Sequence, residues 1–442
     1  MGRHVCFLLL SVLMGPLAAG EDPIQQIHLT FTGDETVMAV EFVSNATEAG
    51  VMYGCGLGPR ENYVATTSFR LEKVGVLHRA EMKGLEPRSE CFYRANISTY
   101  TTSWINFTAG IPLRGDKQHI AAVYGDFGID NGKSMDQLTE QGRARVFDFT
   151  LHIGDIAYNL WDRGDAFMNA ISGWARHSPY MVAVGNHEHK DNFTHWNAGL
   201  IHYIAINTES YKFPDETANS PFPFTHEEQL EWLEADLREA QANREKQPWI
   251  VMYGHKGWYM NVWDKNEKHI TTNFTGFDAL ADQYGVDLYL TGHVHLYQRF
   301  LPLRGSADIR RFAPPSHVDR DCASRDKHVY YNPKHMTTIV AGSPGDKELS
   351  FVGECAAMGL LNDVAFKSSQ VECRDSYGFG LLQAHNSTHL SWIWEETARP
   401  SLPPVTMLVD DGSQGHQEEK VGAASVGNSK YKDHLWLVKD RP

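Results

Sequence analysis

Five short apolar runs in the chain each end in a glycine that is followed at once by a side chain of the kind that binds metal ions. Helical stretches alternate with these runs, a pattern typical of an α/β fold with parallel strands. Because ligands of such folds gather beyond the carboxyl ends of the strands, we expect the five turns to converge. The runs with their turns are HIAAVYGDFG (119–128), FTLHIGDIAY (149–158), YMVAVGNHE (180–188), WIVMYGH (249–255) and VDLYLTGHVH (286–295).

The side chains in these turns form a mixed set of oxygen and imidazole donors without a thiolate. Such a set suits iron, zinc or manganese, and it contains more donors than one such ion needs. The sequence therefore predicts two ions, which two-metal hydrolytic sites hold about 3.5–4 Å apart. One Gly-Asp pair or one histidine at a strand end is common in turns without any function. Five such turns in order are specific for a metal site. The donors are Asp126, Asp155, Tyr158, Asn186, His255, His293 and His295.

The start of the chain follows a different pattern. Short strand-like runs separated by Gly, Asn and Pro fill residues 24–112, which predicts a small antiparallel β-sandwich. In the α/β part, Thr225 and Glu228 predict a capping box, followed by leucines at helical spacing that predict a buried face. The polar segment 305–333 has no periodicity and is expected to be a surface loop.

Residues 1–20 predict a secretory signal peptide, because Arg3 precedes a short apolar run that ends in small residues. This run is shorter than the ~20 residues that a membrane span needs, and no second uninterrupted run follows. We therefore expect a glycoprotein without a membrane span in a secreted or lysosome-like compartment. Its glycosylation sequons are at Asn45, Asn96, Asn106, Asn192, Asn273 and Asn386.

Loss of Cys6 with the signal peptide would leave an odd number of cysteines, so at least one thiol would lack an intramolecular partner. We expect disulfides between Cys355 and Cys373 and between Cys55 and Cys91.

The charge balance is acidic, with 40 Lys and Arg against 55 Asp and Glu and a net charge of −15. A chain of this charge repels nucleic acid phosphates, so we expect no nucleic acid partner.

The five turns match, in order, the pattern GDxG, GDxxY, GNH(E/D), VxxH and GHxH. In this pattern the chain resembles the purple acid phosphatases, a family of the calcineurin-like metallophosphoesterases. The resemblance implies a fibronectin-III-like N-terminal domain at 22–112 and a two-sheet α/β metallophosphoesterase domain at 118–442. Two positions depart from the family pattern: Met252 replaces Val in the fourth motif, and Gln298 stands where Glu is frequent.

The resemblance also implies a role for each donor. Most metallophosphoesterases carry Asp-x-His in the first motif, whereas this chain has Gly128 at the histidine position and offers the Tyr158 phenol instead. A phenolate is a hard donor that favours a trivalent ion. The implied Fe(III) ligands are Asp126, Asp155, Tyr158 and His295, with Asp155 bridging to a divalent zinc, iron or manganese ion that Asn186, His255 and His293 complete. His187 is the implied catalytic residue, which binds phosphate or protonates the leaving group.

The implied activity is hydrolysis of phosphate monoesters at acid pH by a metal-bound hydroxide, on small phosphomonoesters or phosphoproteins. Two alternatives stay open at this point. One is a phosphodiesterase on the same scaffold, and the other is a glycosylated binding protein whose metal site is silent. No oligomeric state is predicted.

Overall fold

The computed structural model describes residues 22–57, 61–71, 75–113, 118–158, 160–188, 193–210, 215, 223–260, 276–305, 317–345, 355, 369–397 and 431–440. The predicted signal peptide and the sequons at Asn192 and Asn273 lie outside these residues. Among the residues that are described, no helix has the length and apolar character needed to cross a membrane.

The described residues of the N-terminal part form nine strands in two antiparallel sheets. They are β1 (Ile24–Phe31), β2 (Met38–Ser44), β3 (Ala49–Cys55), β4 (Asn62–Ala65), β5 (Thr67–Leu71), β6 (Gly75–Met82), β7 (Glu90–Ile97), β8 (Tyr100–Thr101) and β9 (Ile105–Thr108). One sheet has the order β1-β2-β6-β5, and the other has the order β4-β3-β7-β8 with β9 paired to β7. Fully buried apolar side chains of both sheets, such as Val40 and Val51, share one core. The predicted antiparallel fold is confirmed.

Sixteen further strands follow in the described chain. They are β10 (His119–Tyr124), β11 (Phe149–Ile153), β12 (Tyr180–Ala183), β13 (Thr194–Ala198), β14 (Ile201–Ala205), β15 (Trp249–Tyr253), β16 (Leu288–Thr291), β17 (Tyr297–Phe300), β18 (Leu303–Arg304), β19 (His317–Val318), β20 (Val329–Tyr331), β21 (Thr337–Ala341), β22 (Gln370–Arg374), β23 (Gly378–Ala384), β24 (His389–Glu396) and β25 (Tyr431–Val438). Two 7-stranded sheets take the orders β12-β11-β10-β23-β24-β25-β20 and β13-β14-β15-β16-β21-β17-β22, and β18 pairs with β19.

The two large sheets pack face to face, with helices on their outer faces. Val123 and Leu151 of the first sheet lie in the same core as Val251 and Leu290 of the second. The strands that carry the five motifs pair in parallel, β10 with β11, β11 with β12 and β15 with β16. The predicted α/β domain after the antiparallel one is therefore confirmed. The helices of the described residues are α1 (Met135–Arg143), α2 (Leu160–Ala175), α3 (His226–Ala242) and α4 (Phe277–Gln283), with a short 3-10 helix at Asp321–Ala323.

Helix α3 begins as its sequence predicts. The Thr225 side chain accepts a hydrogen bond from the Glu228 backbone, and the Glu228 side chain accepts one from the Thr225 backbone. Leu233 and Leu237 are fully buried, and Leu230 is partly buried against the same apolar cluster. The amphipathic pattern therefore places α3 against the second large sheet.

The two parts of the chain are joined by direct contacts between β1 and α2. The Gln26 backbone N–H donates to Asn169 Oδ1 at 3.0 Å, and the Gln26 side chain donates to Asp165 Oδ1 at 2.6 Å. Further along, Tyr93 donates its hydroxyl to the Arg176 carbonyl at 2.9 Å. These hydrogen bonds tie the N-terminal sheets to α2 and to Arg176 directly after it, and apolar side chains of both parts of the chain share one core.

Both expected disulfides are present. Cys55–Cys91 joins the paired strands β3 and β7, and Cys355–Cys373 ties residue 355 to β22. Cys322 is buried and has no disulfide partner.

The prediction of a surface loop at 305–333 is partly wrong. The described part of this segment contains β19, the 3-10 helix and β20, and β20 pairs in parallel with β25. A three-residue strand whose partner lies about a hundred residues away carries no local signal.

Candidate metal centre

The five motif turns meet at the carboxyl ends of β10, β11, β12, β15 and β16. Backbone hydrogen bonds join the turns directly: the Asp126 N–H donates to the Gly154 carbonyl, and the Gly292 N–H donates to the His255 carbonyl, both at 3.0 Å. The turns therefore hold each other in place, and their side chains point into one region between the two sheets.

Asp126, Tyr158 and His295 form one group of contacting side chains. The Tyr158 hydroxyl lies 3.0 Å from Asp126 Oδ1 and 2.6 Å from His295 Nε2. His295 Nε2 in turn lies 3.4 Å from Asp126 Oδ1. Three donor atoms from three different turns are thus close enough to share one ion.

A second group is centred on His255. Its Nε2 atom lies 3.1 Å from Asp155 Oδ2, 3.2 Å from Asn186 Oδ1 and 3.2 Å from His293 Nδ1. Donor atoms of Asp155, His255 and His293 all lie within 4.8 Å of one another. The two groups adjoin, because His255 Nε2 is 3.9 Å from Asp126 Oδ1.

The backbone at these residues adopts a conformation that L-amino acids rarely use. Asp126, Asp155, Tyr158 and His293 have φ values of 62°, 52°, 54° and 68°, in the left-handed region. Such a conformation costs about 1–3 kcal/mol per residue and persists only where the surrounding structure enforces it. Its concentration in the motif turns is what we expect of a functional site.

Two glycines make the close approach of these turns possible. A Cβ atom at Gly185 would lie 2.2 Å from Asp155 Oδ1, and one at Gly292 would lie 2.4 Å from Asp126 Oδ2. Any larger residue would push the carboxylates out of position. Gly185 and Gly292 are therefore required by the packing of the turns around these two carboxylates.

The buried charges of the site favour the binding of cations. Asp126 and His255 are fully buried, and Asp155 is only 2% exposed. Burial alone would lower the pKa of His255, but the charges of Asp155 and Asp126 raise it to about 10. Burial likewise opposes ionisation of Asp155, yet the charge of His255 and its hydrogen bond hold the pKa of Asp155 below its usual value. Two buried carboxylates thus require positive charge beside them.

His255 is oriented for metal binding. Its Nδ1 atom lies 3.0 Å from the Ile153 carbonyl oxygen, which can only accept a hydrogen bond, so Nδ1 carries a proton. The other ring nitrogen, Nε2, then faces the carboxylates of the site. A carbonyl that fixes the tautomer of an imidazole in this way is the usual partner of a metal-binding histidine.

His187 lies beside the second group and is more accessible. Its side chain is 32% exposed, its Nε2 atom is 3.8 Å from Asp155 Oδ2, and its ring packs 4.9 Å from that of Tyr158. The His187 backbone N–H donates to Asp155 Oδ1 at 3.1 Å. The imidazole therefore stands at the edge of the site, where a substrate could reach it.

Glu188 has a positioning role that the sequence analysis did not assign. Its carboxylate accepts hydrogen bonds from the backbone N–H groups of Gly185, Asp155 and Ile156 at 2.8–2.9 Å. Burial, followed by the charge of Asp155, raises the pKa of Glu188 to about 8, and the N–H donors act against this rise. In the sequence, the position of Glu188 at the end of the GNHE motif was the signal available for this role.

Lys256 and Glu209 form a second support that the sequence analysis missed. Both side chains are fully buried, and Lys256 Nζ lies 2.7 Å from Glu209 Oε2. The Thr291 hydroxyl donates to the His255 carbonyl at 2.6 Å. These contacts fix the turn that presents His255. In the sequence, the available signal was a lysine directly after a motif histidine.

The donor chemistry fits two metal ions. Two carboxylates, a phenol, an amide oxygen and three imidazoles meet within contact distance, and the set contains no thiolate. Hard oxygen donors mixed with imidazole suit iron, zinc and manganese. The fixed tautomer of His255 and the buried carboxylates agree with a centre built for cations.

Both parts of the chain match known protein families. Residues 121–297 match the calcineurin-like phosphoesterase family, and residues 24–109 match the purple acid phosphatase N-terminal domain. "Acid phosphatase type 7" of Mus musculus is 30% identical over 74% of this chain and 78% of its own length. "Purple acid phosphatase 22" of Arabidopsis thaliana is 26% identical over 84% of this chain and 82% of its own length.

Solved structures show the same fold. The purple acid phosphatase PPD1 from yellow lupin seeds matches 95% of this chain and 75% of its own, with a TM-score of 0.66 and 17% identity. PhoD matches 86% of this chain and 88% of its own, with a TM-score of 0.57 and 10% identity. Both likenesses concern the fold alone.

Proposed function

The chain belongs to the purple acid phosphatase family and is an acid phosphatase, and from this premise we propose that it hydrolyses phosphate monoesters at acid pH at a centre of one Fe(III) and one divalent ion. The observation that carries the proposal is the contact of the Tyr158 hydroxyl with Asp126 and His295. A phenol oxygen between a carboxylate and an imidazole is a hard donor set suited to a trivalent ion.

The two groups of side chains suggest how the ions would be held. Asp126, Tyr158 and His295 would bind Fe(III), and Asn186, His255 and His293 would bind the divalent ion, which is zinc, iron or manganese. Asp155 would bridge the two ions. It is the carboxylate that contacts His255 in the second group, and it lies in the same motif turn as Tyr158 of the first group, three residues before it. Its charge would offset that of both ions.

When bound, the ions would activate a water molecule and neutralise the charge that develops on the phosphate. The chain itself would supply the remaining functions. His187 would bind a phosphate oxygen or donate a proton to the leaving alkoxide, because its imidazole stands at the exposed edge of the site. Glu188 and the Lys256–Glu209 pair would keep the turns rigid, so that the donors need no rearrangement during the reaction.

We also propose a domain organisation and a location for the chain. We place the fibronectin-III-like domain at 22–112 and the metallophosphoesterase domain at 118–442, and we propose removal of residues 1–20 on secretion. Two disulfides support an oxidising compartment. The exposed sequon residues Asn45 and Asn386 support glycosylation. Secreted protein that still began at Met1 would contradict the signal peptide.

A comparison of two substrates tests the reaction. We expect p-nitrophenyl phosphate to be hydrolysed faster than bis(p-nitrophenyl) phosphate by the same metal-loaded preparation, with the higher rate at acid pH. Small phosphomonoesters and phosphoproteins are the proposed substrates. A preference for the diester would favour the phosphodiesterase alternative, and turnover of neither by metal-loaded protein would favour the silent binding protein.

A further inference from the structure

A second cluster of metal-binding side chains lies where the hairpin of β13 and β14 packs against α3. It consists of His195 on β13, His202 on β14 and Asp236 on α3. One donor atom of each residue lies within 4.8 Å of the donor atoms of the other two. None of these residues belongs to the metal centre described above, and none has a role in the proposed reaction.

Asp236 is the centre of this cluster. Its side chain is only 2% exposed, and each of its oxygens faces a different imidazole. Oδ1 is in close contact with His195 Nδ1, and Oδ2 lies 3.0 Å from His202 Nε2. Burial opposes ionisation, but the hydrogen bonds and charges of the two histidines hold the pKa of Asp236 below its usual value. A buried negative charge therefore sits between two imidazoles.

The ring of His202 turns its Nε2 atom toward this charge. His202 Nδ1 lies 2.8 Å from Asn197 Oδ1, an atom that only accepts hydrogen bonds, so Nδ1 carries the proton. Without a cation between them, Nε2 and the Asp236 oxygen, 3.0 Å apart, would be two facing acceptors. A cation must lie between them, either a proton or a metal ion. An oxygen that fixes the far nitrogen is also the partner that metal-binding histidines usually have.

We propose that His195, His202 and Asp236 bind one Zn²⁺ ion outside the catalytic centre. Two imidazole nitrogens and a carboxylate oxygen supply three of the four ligands of a tetrahedral zinc site. The fourth position can be filled by water, because the His195 side chain is 45% exposed. Glu239, which is exposed one turn after Asp236 on the same helix, adds negative charge near His195.

The ion would join the β13–β14 hairpin to α3. Strand β13 is the edge strand of its 7-stranded sheet, and α3 packs against the face of that sheet. Zinc would cross-link both strands of the hairpin to the helix. Because the site needs residues brought together by folding, the ion would bind the folded chain alone and raise its melting temperature.

The test counts zinc in the metal-loaded enzyme. Wild-type protein, His195→Ala and the control His434→Ala, an exposed histidine on β25, are equilibrated with zinc chloride and analysed for zinc per chain. We expect His195→Ala to bind one ion fewer than wild type and to lose the zinc-dependent rise in melting temperature. His434→Ala should match the wild type, and all three should have the same phosphatase activity.

A second variant acts on the cluster without removing a ligand. Asn197→Ala deletes the partner of His202 Nδ1 and should weaken zinc binding about tenfold or more. Equal zinc content and equal affinity in wild type, His195→Ala and Asn197→Ala would overturn the proposal. So would loss of the additional ion in Asp155→Asn but not in His195→Ala, because that ion would then belong to the catalytic centre.

Discussion

Replacing Asp155 by asparagine is expected to lower phosphomonoester turnover by about 10³-fold or more and to release metal from the catalytic centre. The amide has the same shape as the carboxylate, but it lacks the charge that contacts His255 at 3.1 Å. Without that charge, no shared ligand would offset the positive charge of the two proposed ions. Initial rates and elemental analysis of the same preparation measure both effects.

Asp287→Asn is the matched control for this change. Asp287 is also a buried carboxylate, and it pairs with Arg244 and Lys439 away from the motif turns. We expect the control to lose stability while keeping its metal and its turnover per folded molecule. Near-normal rate and full metal content in Asp155→Asn would refute the assignment of Asp155 as the bridging ligand.

Removing the imidazole of His187 is expected to lower turnover by about 10²-fold or more, within the range of general acid–base catalysis. The side chain is partly exposed and its backbone N–H keeps its bond to Asp155, so His187→Ala should retain both metals and its melting temperature. Steady-state kinetics, metal analysis and thermal unfolding together separate the catalytic role from a structural one.

His434→Ala serves as the control for loss of an exposed histidine elsewhere. It should leave rate, metal content and melting temperature unchanged. If His187→Ala lost metal and stability in proportion to its activity, His187 would be a structural neighbour of Asn186 and Asp155, and the proton donor would have to be sought elsewhere in the chain.

The sequence predicted the α/β layer and its motif turns because their signals are local. A buried strand, a glycine and a donor follow one another within a few residues, and the capping box of α3 spans only Thr225–Glu228. The parallel pairing of β20 with β25 left no such signal, since it joins segments far apart in the chain.

Other features of the site depend on contacts that a sequence does not display. The left-handed backbone of Asp126 is enforced by the turns packed around it; aspartate adopts this conformation more readily than most residues, but its identity alone does not predict it. Asp236 looks like one of several acidic residues on α3, and only the packing of the β13–β14 hairpin gives it two imidazole partners. Glu188 belongs to a motif, but its three backbone partners come from two different turns.

Iron analysis combined with the visible spectrum tests most directly whether Tyr158 binds Fe(III) in this acid phosphatase. We predict one iron per chain and a visible absorption band in the oxidised native protein, because the phenolate would donate electron density to the metal. Tyr158→Phe keeps the ring and should lose the band while retaining part of its activity. Native protein that is active and fully metal-loaded yet colourless under oxidising conditions would contradict the claim.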